Sequence, residues 1–492
     1  MLLTEAIGSV AAGAPDRPAV TDLSGTTTYG ELMGQAAGWF RRLSDLPADQ
    51  PVASLLTGRA QQVSALLGAA ASSRMLVPLN SRLSDYELTG ILADCGATAL
   101  LTERALADRA ANVTAGVPPR AFVDLIEDMT PADPDLLATG SVSPRDRVAC
   151  FYTSGAEGTP RGAMLTHGNL SSTVETLRHL VPIEEEDVFL ALTPVWHVYG
   201  LAVGCLLPLS VGAHCLTCPS MSLQCAARAV DERHATCIVT MPMVLGRLVD
   251  ADAGAQGRSL RHCICGGDRL PIDVMSRFEN RFGISVTEGY GCAEATAAVA
   301  CNPFDSSRRP GWVGLPLPNQ RVQLVDDRGS VTATGDVGEV VVRGPNVMSG
   351  YLGKPEETRE AMRDGWLHTG DLARRSPDGF LQIAGRRRDV IVVDGLKVHP
   401  SQVERALLAV DGVADCCVIG VPDRALGQVP KALIVAAPGA DPSDEELLAQ
   451  CEAHLAEYEV PRAFRRVDKL PKTTAGRLSR ATAKRMYGSP LS

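Results

Sequence analysis

The 492-residue sequence predicts an α/β protein with parallel sheets, followed by an antiparallel β section and an α+β tail. Three observations predict it. Apolar runs alternate with helix-period segments through the first two-thirds of the chain, the pattern of strand–helix–strand units. From about Gly311 the texture changes to short β runs broken by glycine, as in Gly338-Glu339-Val340-Val341-Val342-Arg343-Gly344. After the charged turn Gly385-Arg386-Arg387-Arg388-Asp389 the remainder mixes strand and helix patterns.

Each element has its own reason. Val148-Ala149-Cys150-Phe151-Tyr152 and Thr236-Cys237-Ile238-Val239-Thr240 are apolar, β-branched or aromatic runs of strand length. Arg261-His262-Cys263-Ile264-Cys265 and Ile284-Ser285-Val286-Thr287 are shorter strands of the same kind. Helical spacing covers Leu170 to Leu180 and Ile272 to Phe282. No internal repeat stands out, so a solenoid is not expected. The charged turn is a natural surface hinge, which puts a large domain at 1–387 and a small one at 388–492.

Composition narrows the class. At 45% hydrophobic the chain can bury more than one core, and it is too long for one ordinary domain. No apolar run reaches the roughly 18 residues of a membrane span. Met1 to Val10 has no basic region and carries Glu5, unlike a signal peptide. Fourteen cysteines without an export signal are expected as reduced thiols of a cytoplasmic protein. A net charge of -10 argues against a nucleic-acid or membrane-binding face. Cys215, Cys218, Cys225, His234 and Cys237 invite comparison with a zinc site, but their spacing is irregular and buried thiols are the stronger reading. Only six of the 47 basic residues are lysine, and none precedes Lys354.

After the strand ending at Tyr152 comes Thr153-Ser154-Gly155-Ala156-Glu157-Gly158-Thr159-Pro160-Arg161-Gly162. Glycines in such a loop let backbone N–H groups converge on phosphate. It lacks the Gly-Lys-Ser/Thr of a Walker loop. Other segments follow in order: Pro194-Val195-Trp196-His197-Val198-Tyr199-Gly200, then Glu288-Gly289-Tyr290-Gly291-Cys292-Ala293-Glu294. Gly350-Tyr351 with Pro355-Glu356-Glu357-Thr358 comes next, before Gly365-Trp366-Leu367-His368-Thr369-Gly370-Asp371. Gly385 to Asp389 and Pro471-Lys472-Thr473-Thr474-Ala475-Gly476-Arg477 complete the set. Together they resemble, over nearly the whole chain, the acyl-adenylate-forming superfamily in its acyl-CoA synthetase branch. That resemblance implies a large N-terminal domain of two doubly wound α/β subdomains plus a β subdomain, and a small mobile α+β C-terminal domain.

The resemblance also implies a chemistry. A carboxylate attacks ATP to give an acyl-adenylate, and the thiol of coenzyme A then displaces AMP. Thr153, Ser154 and Gly155 would cradle phosphate. Glu294 would hold magnesium, which polarises phosphoryl oxygens. Tyr290, between Gly289 and Gly291, would stack on adenine, with Gly266, Gly267 and Asp268 edging the base. Asp371 suits the ribose hydroxyls, since a carboxylate accepts two hydrogen bonds, and Arg386 would reach the same sugar. His197 would stand between the acyl and phosphate sites, with a buried, non-catalytic histidine as the open alternative. Arg388 occupies the hinge position, Gly395 would line the pantetheine tunnel, and Arg477 takes the place of the catalytic lysine.

Departures from the family pattern fall on the adenylation half. Ala156, Glu157 and Arg161 stand where a hydroxyl residue, Thr and Lys are usual, Ala293 replaces Thr or Ser, and Arg477 replaces Lys. Arginine keeps the charge but not the point geometry of an ammonium. The expected function is thioester formation from an acyl-adenylate and coenzyme A, with ATP-dependent adenylation weak or lost. A separate adenylating enzyme would then be one source of the adenylate. The alternatives are an ordinary ligase using ATP and Mg2+ for both half-reactions, and a non-catalytic protein that binds AMP or an adenylate. The small residues Ala295, Thr296, Ala297 and Ala298 would leave room for a bulky acyl group.

Overall fold

The computed structural model describes the chain except residues 1, 23–24, 47–49, 118–121, 141, 154–159, 219–222, 251–256, 394–395, 424–425, 456, 474–477 and 491–492. At 122–124, 139, 223, 388 and 397 it describes the backbone alone. By compactness the chain divides into two units, Met1–Val322 with Val341–Thr369, and Gln323–Val340 with Gly370–Ser492. The turn at 387/388, expected as a domain junction, lies inside the second unit.

Two sheets organise the first unit. The larger runs, in spatial order, Leu315–Pro316, Ala300–Cys301, Val286–Tyr290, His262–Gly266, Cys237–Thr240, Val188–Ala191, His214–Thr217, Pro18–Asp22 and Gly25–Thr28. Its central strands are parallel. They are apolar on both faces because both faces are covered. Leu190, Ile238 and Cys263 enter a core with Phe278 and Val230 on one side, while Phe189, Val239 and Ile264 pack with Leu207 and Tyr199 on the other. The expected helix from Ile272 to Phe282 forms and supplies Met275, Phe278 and Phe282 to the first core.

The second sheet is ordered Gly350–Tyr351, Arg161–Thr166, Arg147–Thr153, Leu76–Pro78, Val52–Leu55, Ala99–Thr102 and Phe122–Leu125. Arg147–Thr153 turns back on itself, since Arg161–Thr166 pairs antiparallel with it and Thr153 faces Arg161. The glycine-rich stretch therefore joins two strands of a hairpin rather than a strand and a helix. The helix His167–Leu180 starts one residue later on a capping box, Thr166 accepting from the Asn169 N–H and Asn169 accepting from the Thr166 N–H.

The second unit has the expected α+β character. An antiparallel ladder pairs Asp371 with Arg386 and continues to Arg375 and Leu381. A further sheet orders Leu396–Val398, Ile391–Val393, Gly427–Ala436 and Val413–Asp423, with Ala463–Arg466 parallel to Gly427–Ala436. The helices Pro400–Leu408 and Asp444–His454 pack Val403, Leu407, Leu447 and Cys451 onto it. Arg388 sits in the single turn Arg387–Asp389. Arg480, from the helix Arg480–Tyr487, ion-pairs with Glu404 and lies 3.4 Å from Asp389.

Cys237, Cys263 and Cys265 are buried, and burial pushes each thiol well above its ordinary pKa. Among the described residues no group of three or more metal-ligating side chains converges. No described helix is long and apolar enough to cross a membrane.

Candidate active site

In open α/β sheets ligands bind beyond the carboxyl ends of the parallel strands. Here Val188–Ala191, Cys237–Thr240, His262–Gly266 and Val286–Tyr290 end side by side. Gly266 pairs with Gly289 across two of those ends. A Cβ on Gly266 would meet the Gly289 carbonyl at 3.2 Å and the Tyr199 ring at 3.5 Å, so this wall is bare backbone. Gly267 follows with φ +91°, a conformation that favours glycine. Asp268 is exposed, its carboxylate accepting from the Arg269 N–H at 2.8 Å. Half-buried Tyr290 ends the neighbouring strand. Gly266, Gly267, Asp268, Gly289 and Tyr290 thus gather at one sheet end, and the flat glycine wall fits a planar base.

His197 is built by its own motif. The strand Val188–Ala191 leads into Pro194, and His197 caps the short helix Val198–Leu201, its Nδ1 accepting from the Tyr199 N–H at 3.2 Å. That contact fixes the tautomer, because a ring nitrogen that accepts cannot also carry the proton. Neutral His197 therefore holds its proton on Nε2. Tyr199 is buried and anchors the helix by donating to the carbonyls of Thr240 at 3.3 Å and Ile264 at 3.2 Å. Gly200 closes the motif for a steric reason. A Cβ there would lie 2.0 Å from the Pro194 oxygen.

The second motif folds just as tightly. A Cβ on Gly291 would fall 1.8 Å from the Ala297 oxygen. Glu294 lies in the turn Ala293–Ala295, and its Oε1 accepts from the Tyr351 hydroxyl at 2.9 Å. Behind it Thr296 and Ala297 adopt φ +51° and +71°, uncommon for residues with a side chain. A buried polar network holds them there. Thr296 donates to the Asn346 carbonyl at 2.6 Å, and Asn346 Nδ2 donates to the carbonyls of Ala295 and Ala298 and to Gln320 Oε1. Ala295, Thr296 and Ala298 are all buried, so their small size has a packing reason. Earlier in this motif, on the strand Val286–Tyr290, Glu288 is 6% exposed. Burial pushes its carboxyl up to about 7 although it accepts from the Gly311 N–H.

Of the phosphate-loop residues, Thr153 ends its strand with Oγ1 3.4 Å from the Arg161 carbonyl. Ser154 and Gly155, with Ala156 and Glu157, lie outside the described residues. Both flanks of the loop are tied to the segment 350–354. Arg161 lies over the Tyr351 ring at 5.2 Å. Tyr152 donates to Asp94 at 2.6 Å, and Asp94 pairs with Lys354 at 3.0 Å.

The second unit holds its own set of residues singled out in the sequence. Arg386 Nε sits 3.1 Å from Asp371 Oδ1, the direct result of their pairing in the ladder. Glu339 accepts from the Gly370 N–H at 3.1 Å and from Arg387 at 3.0 Å, tying together the residue before Asp371 and the residue after Arg386. Gly395 and Arg477 lie outside the described residues.

The sequence profile of the AMP-binding enzymes matches residues 8–352, and that of the AMP-binding enzyme C-terminal domain matches 402–477. Feruloyl-CoA synthase of an Amycolatopsis species is 33% identical over 480 residues, 96% of each chain. The chain belongs to the AMP-binding enzymes, in their acyl-CoA ligase branch. Among other relatives of this ligase branch, a long-chain-fatty-acid–CoA ligase of Bacillus subtilis is 28% identical over 96% of this chain and 92% of its own. The structure of ATP-bound MatB from Rhodopseudomonas palustris superposes with a TM-score of 0.89 at 27% identity, covering 99% of both chains. The adenylate-forming fold is thereby shown, and with it the family's dependence on ATP and coenzyme A through acyl-AMP intermediates.

The candidate site contains groups that the motifs did not announce. Asn346, Gln320 and Asp94 sit outside every motif, and only the structure brings them to it. Tyr351 lay within a recognised segment, but its partner Glu294 is 57 residues away.

Proposed function

We propose that this acyl-CoA ligase forms thioesters from acyl-adenylates and coenzyme A, and that its ATP-dependent adenylation is weak or lost. The observation carrying this reading is the Arg161 guanidinium, stacked on Tyr351 where the family places a lysine. A cation held against a ring face is not a free point charge for a transferring phosphoryl group. Ala293, next to Glu294 and 8% exposed, brings no hydroxyl to the α-phosphate. Ala156, Glu157 and Arg477 in the sequence lean the same way.

The groups that the thioester step needs are kept. The glycine wall at 266, 267 and 289 takes the adenine against Tyr290, and within the second unit Asp371 and Arg386 keep the pair that the family resemblance assigns to the ribose. His197, with its proton on Nε2, donates a hydrogen bond to an oxygen of the mixed anhydride, where negative charge grows as the thiolate adds to the carbonyl. The tetrahedral adduct then expels AMP through its phosphate oxygen, and the thiol proton passes to solvent. Glu294 would hold magnesium, which would supply neutralisation of phosphate charge. One carboxylate beside phosphate oxygens and water is an ordinary set for that ion.

A second reading, an ordinary ligase carrying out both half-reactions, draws on the end-to-end match to feruloyl-CoA synthase. The acyl group in either case is that of a carboxylic acid without a clamped α-amino group, taken as its adenylate in the first reading and as the free acid in the second. The deciding experiment incubates the pure protein with ferulate and fatty acids, Mg–ATP and labelled pyrophosphate, beside feruloyl-adenylate with coenzyme A. Thioester from the adenylate with little pyrophosphate exchange is expected. Robust acid-dependent exchange would sink the proposal in favour of the second reading.

A further inference from the structure

Arg59 opens the helix Arg59–Ala71 and is 4% exposed. A guanidinium cannot shed its proton, so burying one demands well-placed acceptors. Its partners here are not carboxylates. Nη2 donates to the carbonyls of Ala191 at 3.1 Å and Thr193 at 2.7 Å, and Nη1 to Cys205 Sγ at 2.9 Å. Asp22 instead accepts from the backbone N–H groups of Arg59 and Ala60, at 2.9 and 3.3 Å. The helix start is thereby pinned to the strand Pro18–Asp22, and the guanidinium projects from a fixed base.

Those three acceptors bracket the His197 motif. Ala191 and Thr193 precede Pro194. Cys205 lies in the π-helical turn Ala202–Leu206, just beyond Gly200. Inside the bracket the chain is folded closely on itself. A Cβ on Gly200 would lie 3.0 Å from the Thr193 carbonyl oxygen that Arg59 holds, and one on Gly204 would lie 3.2 Å from Thr193 Oγ1 and 3.5 Å from Arg59 Nη1. His197 stands at the tip of this doubled-back stretch. Tyr199 secures the other side through Thr240 and Ile264.

We propose that Arg59 is a positioning residue for His197, gripping both flanks of its motif so that Nε2 is presented at the sheet end. It touches neither substrate nor reacting atoms. The inference rests on the reading of His197 given above. A planar fork is required, because one side chain must reach two carbonyls on one flank and a sulfur on the other, and lysine offers a single point of contact.

The test uses the full-length protein with feruloyl-adenylate and coenzyme A, comparing Arg59→Lys, His197→Ala and the double variant. Arg59→Lys is expected to lower kcat by about 10²-fold, the scale for misplacing a catalytic group by about 1 Å. KM for coenzyme A should hold. Because Arg59 acts through His197, the double variant should be no slower than His197→Ala alone. Multiplying losses would overturn the proposal, whereas an unchanged rate in His197→Ala alone would overturn the reading of His197 itself. Imidazole 15N spectra give a readout independent of turnover. The His197 pattern of protonated Nε2 and accepting Nδ1 should blur into mixed tautomers in Arg59→Lys, and an unaltered pattern would count against the proposal. Should Arg59→Lys not fold, Cys205→Ala removes one flank alone. It should shift the same resonances, and unshifted resonances with wild-type kcat would refute the bracket.

Discussion

The Tyr351 hydroxyl donates to Glu294 at 2.9 Å, while the opposite demand on the same residue comes from Arg161 over its ring at 5.2 Å. One tyrosine thus links the exit of the glycine-rich loop to the carboxylate assigned to magnesium. Burial and the neighbouring carboxylate both push the phenol above its ordinary pKa, so it remains a donor at every physiological pH. Tyr351→Phe keeps the ring under Arg161 and removes only the donor. A hydrogen bond to a charged group contributes roughly 1.5–3 kcal/mol, so Mg–ATP binding should weaken by about tenfold or more. AMP binding should stay unchanged. Calorimetric titration with each nucleotide checks the contrast, and equal weakening of both would disconnect Tyr351 from the phosphate side.

Glu288 makes stability depend on pH. Its carboxyl is raised from the ordinary 4.5 to about 7 by burial. Between those values the folded chain binds more protons than the unfolded one, so this residue's contribution to stability falls as pH rises from about 4.5 to about 7, then levels off. Glu288→Gln keeps an acceptor for the Gly311 N–H and removes the titration. The stability difference in favour of the variant should therefore grow from pH 5 to pH 8. Urea midpoints across that range measure it, and a difference independent of pH would contradict the assignment.

Gly200→Ala places a methyl 2.0 Å from the Pro194 oxygen. Overpacking of this kind costs about 1–3 kcal/mol and shifts backbone. The loss of turnover should exceed the loss of stability, with kcat on feruloyl-adenylate falling by about 10²-fold in folded protein. Circular dichroism and steady-state rates on one preparation separate the two effects.

Asp94→Ala leaves the hydroxyl of Tyr152 and the ammonium of Lys354 without the acceptor that both now share. Losing a hydrogen bond to a charged group at this half-exposed position costs roughly 1 kcal/mol. Tyr152→Phe alone should be milder, and adding it to Asp94→Ala should recover part of the loss. A denaturation-based double-mutant cycle would show positive coupling, and strict additivity would deny the shared contact.

Asp371→Asn keeps the shape of the side chain but gives up the charge that pairs with Arg386 at 3.1 Å. Both residues are assigned to the ribose. AMP affinity should drop by about tenfold, the loss of one charge-assisted contact of roughly 1.4 kcal/mol. Fluorescence or calorimetric titration of AMP reads it directly.

Much of this was legible beforehand, for physical reasons that can be named. The strand around Ile238 and the helix from Ile272 to Phe282 announce themselves because period and burial agree along each element. Gly200, Gly266 and Gly291 are legible as motif members, and the structure supplies the reason, which is close backbone approach at each. What stayed hidden depends on contacts between distant segments. Nothing in the sequence ties Arg59 to its partners at 191, 193 and 205. Asp94 and Lys354 are 260 residues apart. The antiparallel return of Arg161–Thr166 was equally silent, because a glycine-rich loop leaves either a hairpin or a strand–helix joint open.

The division into units has a consequence for anyone wishing to exchange parts of this enzyme. The second unit takes up Gln323–Val340 as well as Gly370–Ser492, so the chain changes unit three times and neither half is one uninterrupted stretch of sequence. A chimera joined at a single point near 387 would carry away the tail and leave behind the strand residues 370–375, 381–386 and 337–340 that belong with it. Transplanting this unit as a working whole calls for two inserted segments, with Glu339 and Arg387 travelling together as the check that the graft was cut in the right places.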